Sequence, residues 1–374
     1  MTHAQVIFSE HELLASHDYA EPLVAGGVRC HGGFDASGNY VSPRTRNRVP
    51  AIEAWEAQRV EQFATPRLDV ALDMWPEHYP NVAQAHFLIE SGIPEPIIST
   101  LTRIGTVEGF GSMIRHSVIP DLQRALDEDV RGTAMAHLGG GLYEAHARDE
   151  AGYGDEAGHS HMWFAARDIA FEQPVTADET ALMLERMGIS TPGSGGKVDV
   201  TRMRAQALAA RLLDDDIDFD LESLITRMIR LLLIEISAFH AFAWAEEVLA
   251  DRDLVAGDGE AATLVSYIRA DETPHVAYLK TVLSEMRDRT FVGTSGRRHP
   301  GTDVIGRIWD RALDMSLGAG RAEGMETAWL EVAHAVEGHS DHADLMEQFN
   351  TLGSSRRDPD GTWIPTGDLD PAVA

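Results

Sequence analysis

The sequence predicts an all-α protein, and three observations lead to this fold class. From Ile52 onward, apolar residues recur at spacings of three and four, which is the period of a helix with one buried face. After the first 50 residues we find neither a strand-rich stretch nor a strand–helix–strand pattern. Stretches rich in Gly, Pro and Asp separate the helical patterns, as loops between helices do. We therefore expect a helical bundle with additions at both ends.

Composition excludes several classes of partner and site. The formal net charge of -29 would be repelled by nucleic acids and by anionic membranes, so we expect neither as a partner. Cys30 is the one cysteine, which rules out disulfides and cysteine-rich metal sites within one chain. The N-terminus lacks a basic segment followed by an apolar one, so we expect no secretory signal and a cytoplasmic location. Glu235 and His240 interrupt the most apolar run, which argues against a membrane span.

The N-terminal extension, residues 1–93, begins irregularly and becomes helical. VRCHGGFDASGNYVS, from Val28 to Ser42, alternates around a cluster of turn-forming residues and predicts a short hairpin or an ordered loop. Helical spacing begins at Ile52 and continues toward the first proline-rich boundary near residue 94.

The segment 94–290 has the pattern of the bundle itself. Pro94 and Pro96 suit a helix start, and Pro120 suits its end. Residues 291–350 are expected to form helices that pack on the bundle, and residues 351–374, rich in Pro, Gly and Asp, a flexible tail. The helical patterns of the bundle lie at 94–120, 133–150, 153–171, 218–250 and 260–287.

Two of these helices carry a glutamate on their apolar stripe. Glu108 continues the stripe that begins at Ile97 and Leu101, and Glu235 interrupts LLLIEISAFHAFAWA. A buried carboxylate without a partner costs several kcal/mol or takes up a proton, so such residues need a cation. For Glu235 the competing explanation is an ion pair with an arginine, from another helix or from Arg227 or Arg230 on its own.

The motif Asp-Glu-x-x-His occurs twice, as DEAGH at 155–159 and as DETPH at 271–275. Chance alone supplies roughly one Glu-x-x-His in a chain of this composition, but only roughly 0.1 copies that also have Asp before the Glu. Residues i and i+3 share one helical face, so each motif presents a carboxylate and an imidazole together. The competing explanation is a pair of solvated helix faces on an acidic protein.

These motifs predict a site built from four helices. Oxygen-rich sites with a few nitrogen ligands suit iron or manganese. Glu235 precedes Glu272 by 37 residues, the length of an antiparallel helix pair, and Glu108 is the corresponding residue for Glu156. Glu144 is the rival of Glu108, but its short separation from Glu156 makes an opposed helix pair harder to build.

This arrangement resembles the ferritin-like dimetal-carboxylate family, in which a four-helix bundle supplies one Glu from each of two helices and a Glu-x-x-His from each of the others. The resemblance implies that Asp155 and Asp271 hydrogen-bond the ring N–H groups of site histidines. Pro274 departs from the pattern and should kink its helix. The implied metal ligands are Glu108, Glu156, His159, Glu235, Glu272 and His275.

Within the family the chain is most similar to the oxygen-activating members. The resemblance implies a non-heme di-iron oxygenase or oxidase that uses O2 on a small organic substrate, by hydroxylation, N-oxygenation or desaturation. It implies two iron ions, with Mn/Fe and Mn/Mn centres left open, and a reductase or ferredoxin as electron donor; a homodimer also stays open. The alternatives are a ferritin-like protein for iron storage or metal buffering, and a metal-free helical interaction protein.

Overall fold

The computed structural model describes residues 8–70, 75–172, 176–186, 205, 208–357, 360 and 362–365. These residues are mostly helical, as predicted, with three small antiparallel sheets added to the helices. Helices and strands are numbered below in chain order.

The predicted hairpin near the N-terminus is present within a three-stranded sheet. Strands β1 (Glu21–Ala25), β2 (Val28–Phe34) and β3 (Tyr40–Val41) pair in that order, with Gly33 opposite both Pro22 and Val41. The short helix α1 (Glu10–Leu13) precedes the sheet and the long helix α2 (Thr45–Phe63) follows it. Helix α2 buries Arg48 together with the apolar side chain of Trp55.

Helices α3 (Val82–Glu90) and α4 (Glu95–Gly111) bring the chain into the bundle. Pro94 and Pro96 begin α4 as predicted, because a proline in the first turn removes no helical hydrogen bond. The helix ends at Gly111, earlier than the predicted boundary at Pro120, and continues as a 3₁₀ turn (Ser112–His116).

The next two predicted helices are shorter than their patterns indicate. After the single turn α5 (Leu122–Ala125), residues 134–143 form a 3₁₀ turn and a π-helical turn before α6 (Glu144–Ala151). Helix α7 covers His159–Phe171, and residues 153–158 are a loop where the sequence predicted helix. Helix α8 (Ala177–Arg186) follows, and the Gly-rich stretch TPGSGGKVD at 191–199 lies outside the described residues.

Helix α9 (Phe219–Leu249) is the long helix that the sequence predicted at 218–250. The side chain of Asp218 caps it by accepting the N–H groups of Asp220 and Leu221. Among the described residues it is the one helix long and apolar enough to cross a membrane, but half of its most apolar stretch is buried inside the protein. A core helix has the same length and composition, so this finding is weak evidence for a span.

The pattern at 260–287 forms two helices, α10 (Glu260–Asp271) and α11 (Thr273–Arg287), separated at Glu272. Pro274 lies in the first turn of α11, so the predicted interruption occurs. A hairpin of β4 (Thr290–Val292) and β5 (Arg298–Pro300) follows α11, at the start of the segment where the sequence predicted helices. The chain continues through α12 (Gly301–Asp314), α13 (Gly320–Val336), α14 (His342–Thr351) and the hairpin of β6 (Ser355–Arg357) and β7 (Trp363–Pro365).

The bundle has two apolar cores, and its helices pass from one to the other. In α9, residues up to Ile236 lie in the first core and residues from Phe242 onward lie in the second. Ile268 of α10 lies in the second core, whereas Tyr278 of α11 lies in the first. A layer of buried polar side chains occupies the level between the two cores, and it contains Glu235.

Candidate metal centre

The polar layer contains two groups of buried ligand-type side chains. Within each group one nitrogen or oxygen atom per residue lies within 4.8 Å of all the others. Metal–ligand bonds of about 2.0–2.2 Å place the ligand atoms of one ion up to roughly 4.4 Å apart, so each group needs to contract by only a few tenths of an ångström to hold an ion. One group consists of Glu108, Glu150, His159 and Glu272, and the other of His146, Glu150, Glu235 and His275. They are called here the Glu108 position and the Glu235 position.

Two glutamates join the positions. Glu150 Oε2 lies 3.5 Å from His159 Nδ1, and its Oε1 lies 3.2 Å from His275 Nδ1. Glu272 does the same, with Oε1 2.8 Å from His159 Nδ1 and Oε2 2.6 Å from His275 Nδ1. Each carboxylate therefore directs one oxygen toward each position, which is the arrangement of a bridging ligand.

The outer carboxylates come from the two helices whose apolar stripes contain a glutamate. Glu108 of α4 lies 3.5 Å from His159 Nδ1, and Glu235 of α9 lies 3.4 Å from His146 Nε2. Arg227, one of the arginines offered as a partner for Glu235, donates instead to the hydroxyl of Ser117.

Several ligand atoms of the cluster are buried without a hydrogen-bond partner. The N···O contact of 2.8 Å between His159 and Glu272 lacks hydrogen-bond geometry, so both atoms stay unpaired. Leaving a buried polar atom unpaired costs about 1–3 kcal/mol, and several such atoms around one space indicate that a cation fits there. The unpaired atoms are Glu108 Oε2, His146 Nε2, Glu150 Oε2, His159 Nδ1 and Glu272 Oε1.

The three imidazoles are held from behind by groups outside the cluster. His275 Nε2 lies 2.9 Å from Asp149 Oδ2, and His159 Nε2 lies 3.4 Å from Asp271 Oδ2. His146 Nδ1 lies 3.1 Å from the hydroxyl oxygen of Tyr278. A hydrogen bond at the far ring nitrogen fixes the tautomer and leaves the near nitrogen free to bind a metal.

Asp149 is itself braced by helix α2 and its cap. Arg44 Nε donates to Asp149 Oδ1 at 2.8 Å, and Arg48 Nη1 lies 2.8 Å from Oδ2. Burial alone would raise the pKa of Asp149, but the two arginine charges outweigh it and hold that pKa well below its usual range. Among the described residues no arginine pairs with Asp271; it accepts the hydroxyl of Tyr40 at 2.8 Å, and burial raises its pKa.

Burial and the neighbouring charges divide the glutamates into two kinds. Burial, together with the nearby carboxylates, raises the pKa of Glu108 and of Glu235 well above the usual value. Burial would raise the pKa of Glu272 as well, but His275 and His159 outweigh it and lower that pKa well below its usual range. Without a bound cation, Glu108 and Glu235 are therefore the glutamates that take up protons.

The structure brings together five of the six predicted ligands and leaves one outside. Glu156 lies in the loop before α7, has a side chain about one-third exposed, and pairs with Arg29 at 2.9 Å and His31 at 3.1 Å. Asp155 is exposed in the same loop, so the role predicted for it belongs to Asp149. The predicted ligands that do meet are Glu108, His159, Glu235, Glu272 and His275.

The sequence analysis missed Glu150 and His146, and it offered Glu144 as an alternative ligand. Glu144 pairs with Arg148 at 2.7 Å and with Arg115 at 3.3 Å, outside both positions. The overlooked signal is the spacing of His146 and Glu150, which at i and i+4 share one face of α6. A second clue is that DEAG occurs at 149–152 as well as at 155–158.

No family model, curated protein or solved structure matches this chain.

Proposed function

We propose that this protein is a ferritin-like, oxygen-dependent di-iron oxidoreductase that acts on a small organic substrate. The observation that carries the proposal is the pair of buried carboxylates, Glu150 and Glu272, each with one oxygen beside His159 and the other beside His275. In a structural ion pair, each carboxylate would be matched by a basic side chain of its own. Two carboxylates that each face both positions would instead suit two metal ions held side by side.

The charges of the cluster support two divalent cations. Glu108, Glu150, Glu235 and Glu272 carry four negative charges when ionised, and two divalent ions supply four positive charges. Asp149 is neutralised separately by Arg44 and Arg48, so it adds no demand for a further cation. Neutralisation removes the desolvation penalty that raises the pKa values of Glu108 and Glu235.

The donor atoms favour iron, with manganese as the neighbouring choice. The two positions offer carboxylate oxygens and imidazole nitrogens and no thiolate, and this mixture suits iron and manganese. Iron bound here supplies the electrons that reduce dioxygen, and the protein sets access, dryness and orientation. In this proposal Asp149, Asp271 and Tyr278 keep the imidazoles in the tautomer that binds a metal.

Bulk water is excluded most completely on the side of the bridging residues. Glu272, His275 and His146 have no exposed surface, whereas Glu108 is 8% exposed and Glu235 6% exposed. Dioxygen and substrate therefore approach from the side of α4 and α9, past the two outer carboxylates.

Iron storage or metal buffering is the second candidate function. What favours an enzyme is the sheet β1–β3 and helix α2, which reach the centre with Tyr40, Arg44 and Arg48. A storage bundle has no need of two buried arginines that orient one ligand, whereas a catalytic centre needs its ligands held in one geometry. The enzyme proposal includes a reductase or ferredoxin as electron donor, a cytoplasmic location and a homodimer. It includes neither a nucleic acid nor a membrane as a partner.

Metal analysis with spectroscopy before and after exposure to oxygen tests the proposal. The metal-free chain is loaded anaerobically with ferrous iron, and we expect about two ions per chain. Mössbauer and optical spectra should then show conversion of both ferrous ions to a coupled diferric pair on adding oxygen. One ion per chain, or ferrous iron that stays unchanged in oxygen, would contradict the proposed function. A large hollow assembly in size-exclusion chromatography that accumulates many ions would favour storage.

A further inference from the structure

The two metal positions differ in their ligands. The Glu108 position has one imidazole, His159, beside its outer carboxylate, and the Glu235 position has two, His146 and His275. Each group has four side chains: one imidazole and three carboxylates at the Glu108 position, and two imidazoles and two carboxylates at the Glu235 position. The additional imidazole is His146.

His146 has the surroundings of a ligand. Its ring is fully buried and stacks on His275 with a centroid distance of 3.9 Å and an interplanar angle of 15°. Nε2 has no hydrogen-bond partner and lies 3.5 Å from Glu150 Oε1 and 3.4 Å from Glu235 Oε1. Since the hydroxyl of Tyr278 holds Nδ1, the free nitrogen is directed at the Glu235 position.

We propose that His146 is the residue that sets metal specificity, so that the Glu235 position fills first and takes the ion with the stronger preference for nitrogen. The Glu108 position fills second and accepts the ion with the stronger preference for oxygen. With one ferrous and one manganous ion supplied per chain, iron therefore occupies the Glu235 position and manganese the Glu108 position, because the second imidazole favours Fe²⁺ over Mn²⁺ more strongly than a carboxylate does. This inference rests on the proposed two-metal centre and adds an order of filling to it.

Anaerobic titration of the metal-free chain with Co²⁺ tests whether the two positions differ in affinity. Calorimetry and the visible spectrum of the bound ion follow the binding. The wild-type chain should bind two ions in separate steps. Because loss of an outer partner already weakens metal binding by about 10–100-fold, we expect His146→Gln to weaken the first step by about 100-fold and to leave the second nearly unchanged. His159→Gln is the matched control, and it should weaken the second step alone.

Circular dichroism and thermal melting of the metal-free variants establish that each one folds. Tyr278→Phe keeps the ring of His146 and releases its outer nitrogen, so it should weaken the first step by less than His146→Gln does. An unchanged first step in His146→Gln, or equal weakening of both steps, would overturn the inference. If two ions bind with equal affinity, the inference fails and the two-metal centre stands; if no ion binds, both fail.

A crystal grown with equal amounts of Fe²⁺ and Mn²⁺ gives an independent readout. Anomalous scattering at the iron and manganese edges should place iron at the Glu235 position and manganese at the Glu108 position. An even mixture at both positions, or the reverse assignment, contradicts the inference.

Discussion

The two copies of Asp-Glu-x-x-His have different backbones. At 271–275 the chain stays helical: Glu272 has φ -72° and ψ -20°, and its carbonyl accepts the N–H groups of His275 and Val276. At 155–159 the chain is a loop in which Tyr153 and Glu156 bond each other, and α7 begins only at His159. The copy at 271–275 brings both its Glu and its His to the buried cluster, whereas the copy at 155–159 brings only its His.

The preceding helix, α6, supplies the Asp and the Glu that the copy at 155–159 does not bring to the cluster. Asp149 and Glu150, at the end of α6, take the places that Asp155 and Glu156 would have in a continuous helix. Each aspartate also contacts the histidine that lies farther away in the chain: Asp149 contacts His275, and Asp271 contacts His159. A sequence motif therefore fixes a ligand pair only while the helix continues through it.

Replacing Glu150 and Glu156 in turn gives the sharpest test of this comparison. Glu150→Gln replaces one carboxylate oxygen by NH2 and removes the negative charge that both positions share, so we expect each ion to bind about 100-fold more weakly, roughly 5.5 kcal/mol in total. Glu156→Gln should leave metal content and both affinities unchanged, because its partners are Arg29 and His31. Anaerobic titration with ferrous iron measures both, and metal loss in Glu156→Gln would contradict the assignment.

Asp149 and Asp155 make the second matched pair, measured by denaturant unfolding of the metal-free chain. Asp149→Asn leaves Arg44 and Arg48 buried without their carboxylate, and breaking a buried ion pair costs about 3–5 kcal/mol. Asp155→Asn changes an exposed side chain and should alter stability by less than about 0.5 kcal/mol. Equal losses in the two variants would mean that the arginines do not depend on Asp149.

The turn that ends α6 can be tested through its glycines. Gly152 has φ 83° and ψ 176°, a region that essentially only glycine occupies, and a Cβ there would lie 2.4 Å from the carbonyl oxygen of Glu156. We expect Gly152→Ala to lower the free energy of unfolding by about 1–3 kcal/mol. Gly154→Ala, with φ 63° and open space around it, should cost about 1 kcal/mol.

Both motif histidines, one from the loop copy and one from the helical copy, predict a pH dependence. Burial lowers the pKa values of His159 and His275, but the carboxylates beside them outweigh it and raise both, so the metal-free centre holds protons at neutral pH. Metal binding must release these protons, so affinity should rise with pH by about 1.4 kcal/mol per pH unit for each proton released.

Stability of the metal-free chain should change in the opposite direction. Histidines with raised folded-state pKa values contribute stability that is complete below the unfolded value of about 6.5 and is lost as pH rises through the folded values. Proton release in weakly buffered solution and unfolding at several pH values measure the two effects. Glu156→Gln should change neither, and affinity that falls with rising pH would contradict the assignment of charged histidines.

The sequence by itself determined which residues share a helical face. It predicted the helical class, the long helix α9, and glutamates at 108 and 235 that interrupt apolar stripes. It also determined the DETPH pair, because the spacing of i and i+3 is a local property of a helix. These features depend on neighbours within one or two turns, which the sequence displays directly.

Only the tertiary structure decided that residues 153–158 form a loop and not a helix. Ala157 donates its N–H to Arg29 and accepts that of His31, so strand β2 holds the loop in addition to the loop's own bonds between Tyr153 and Glu156. That pairing joins positions far apart in the chain, and no local period records it. For the same reason Glu150 and His146 lie in the buried cluster and Glu156 does not: the distance between side chains of different helices is set by packing, whereas the face on which each one lies is set by the sequence.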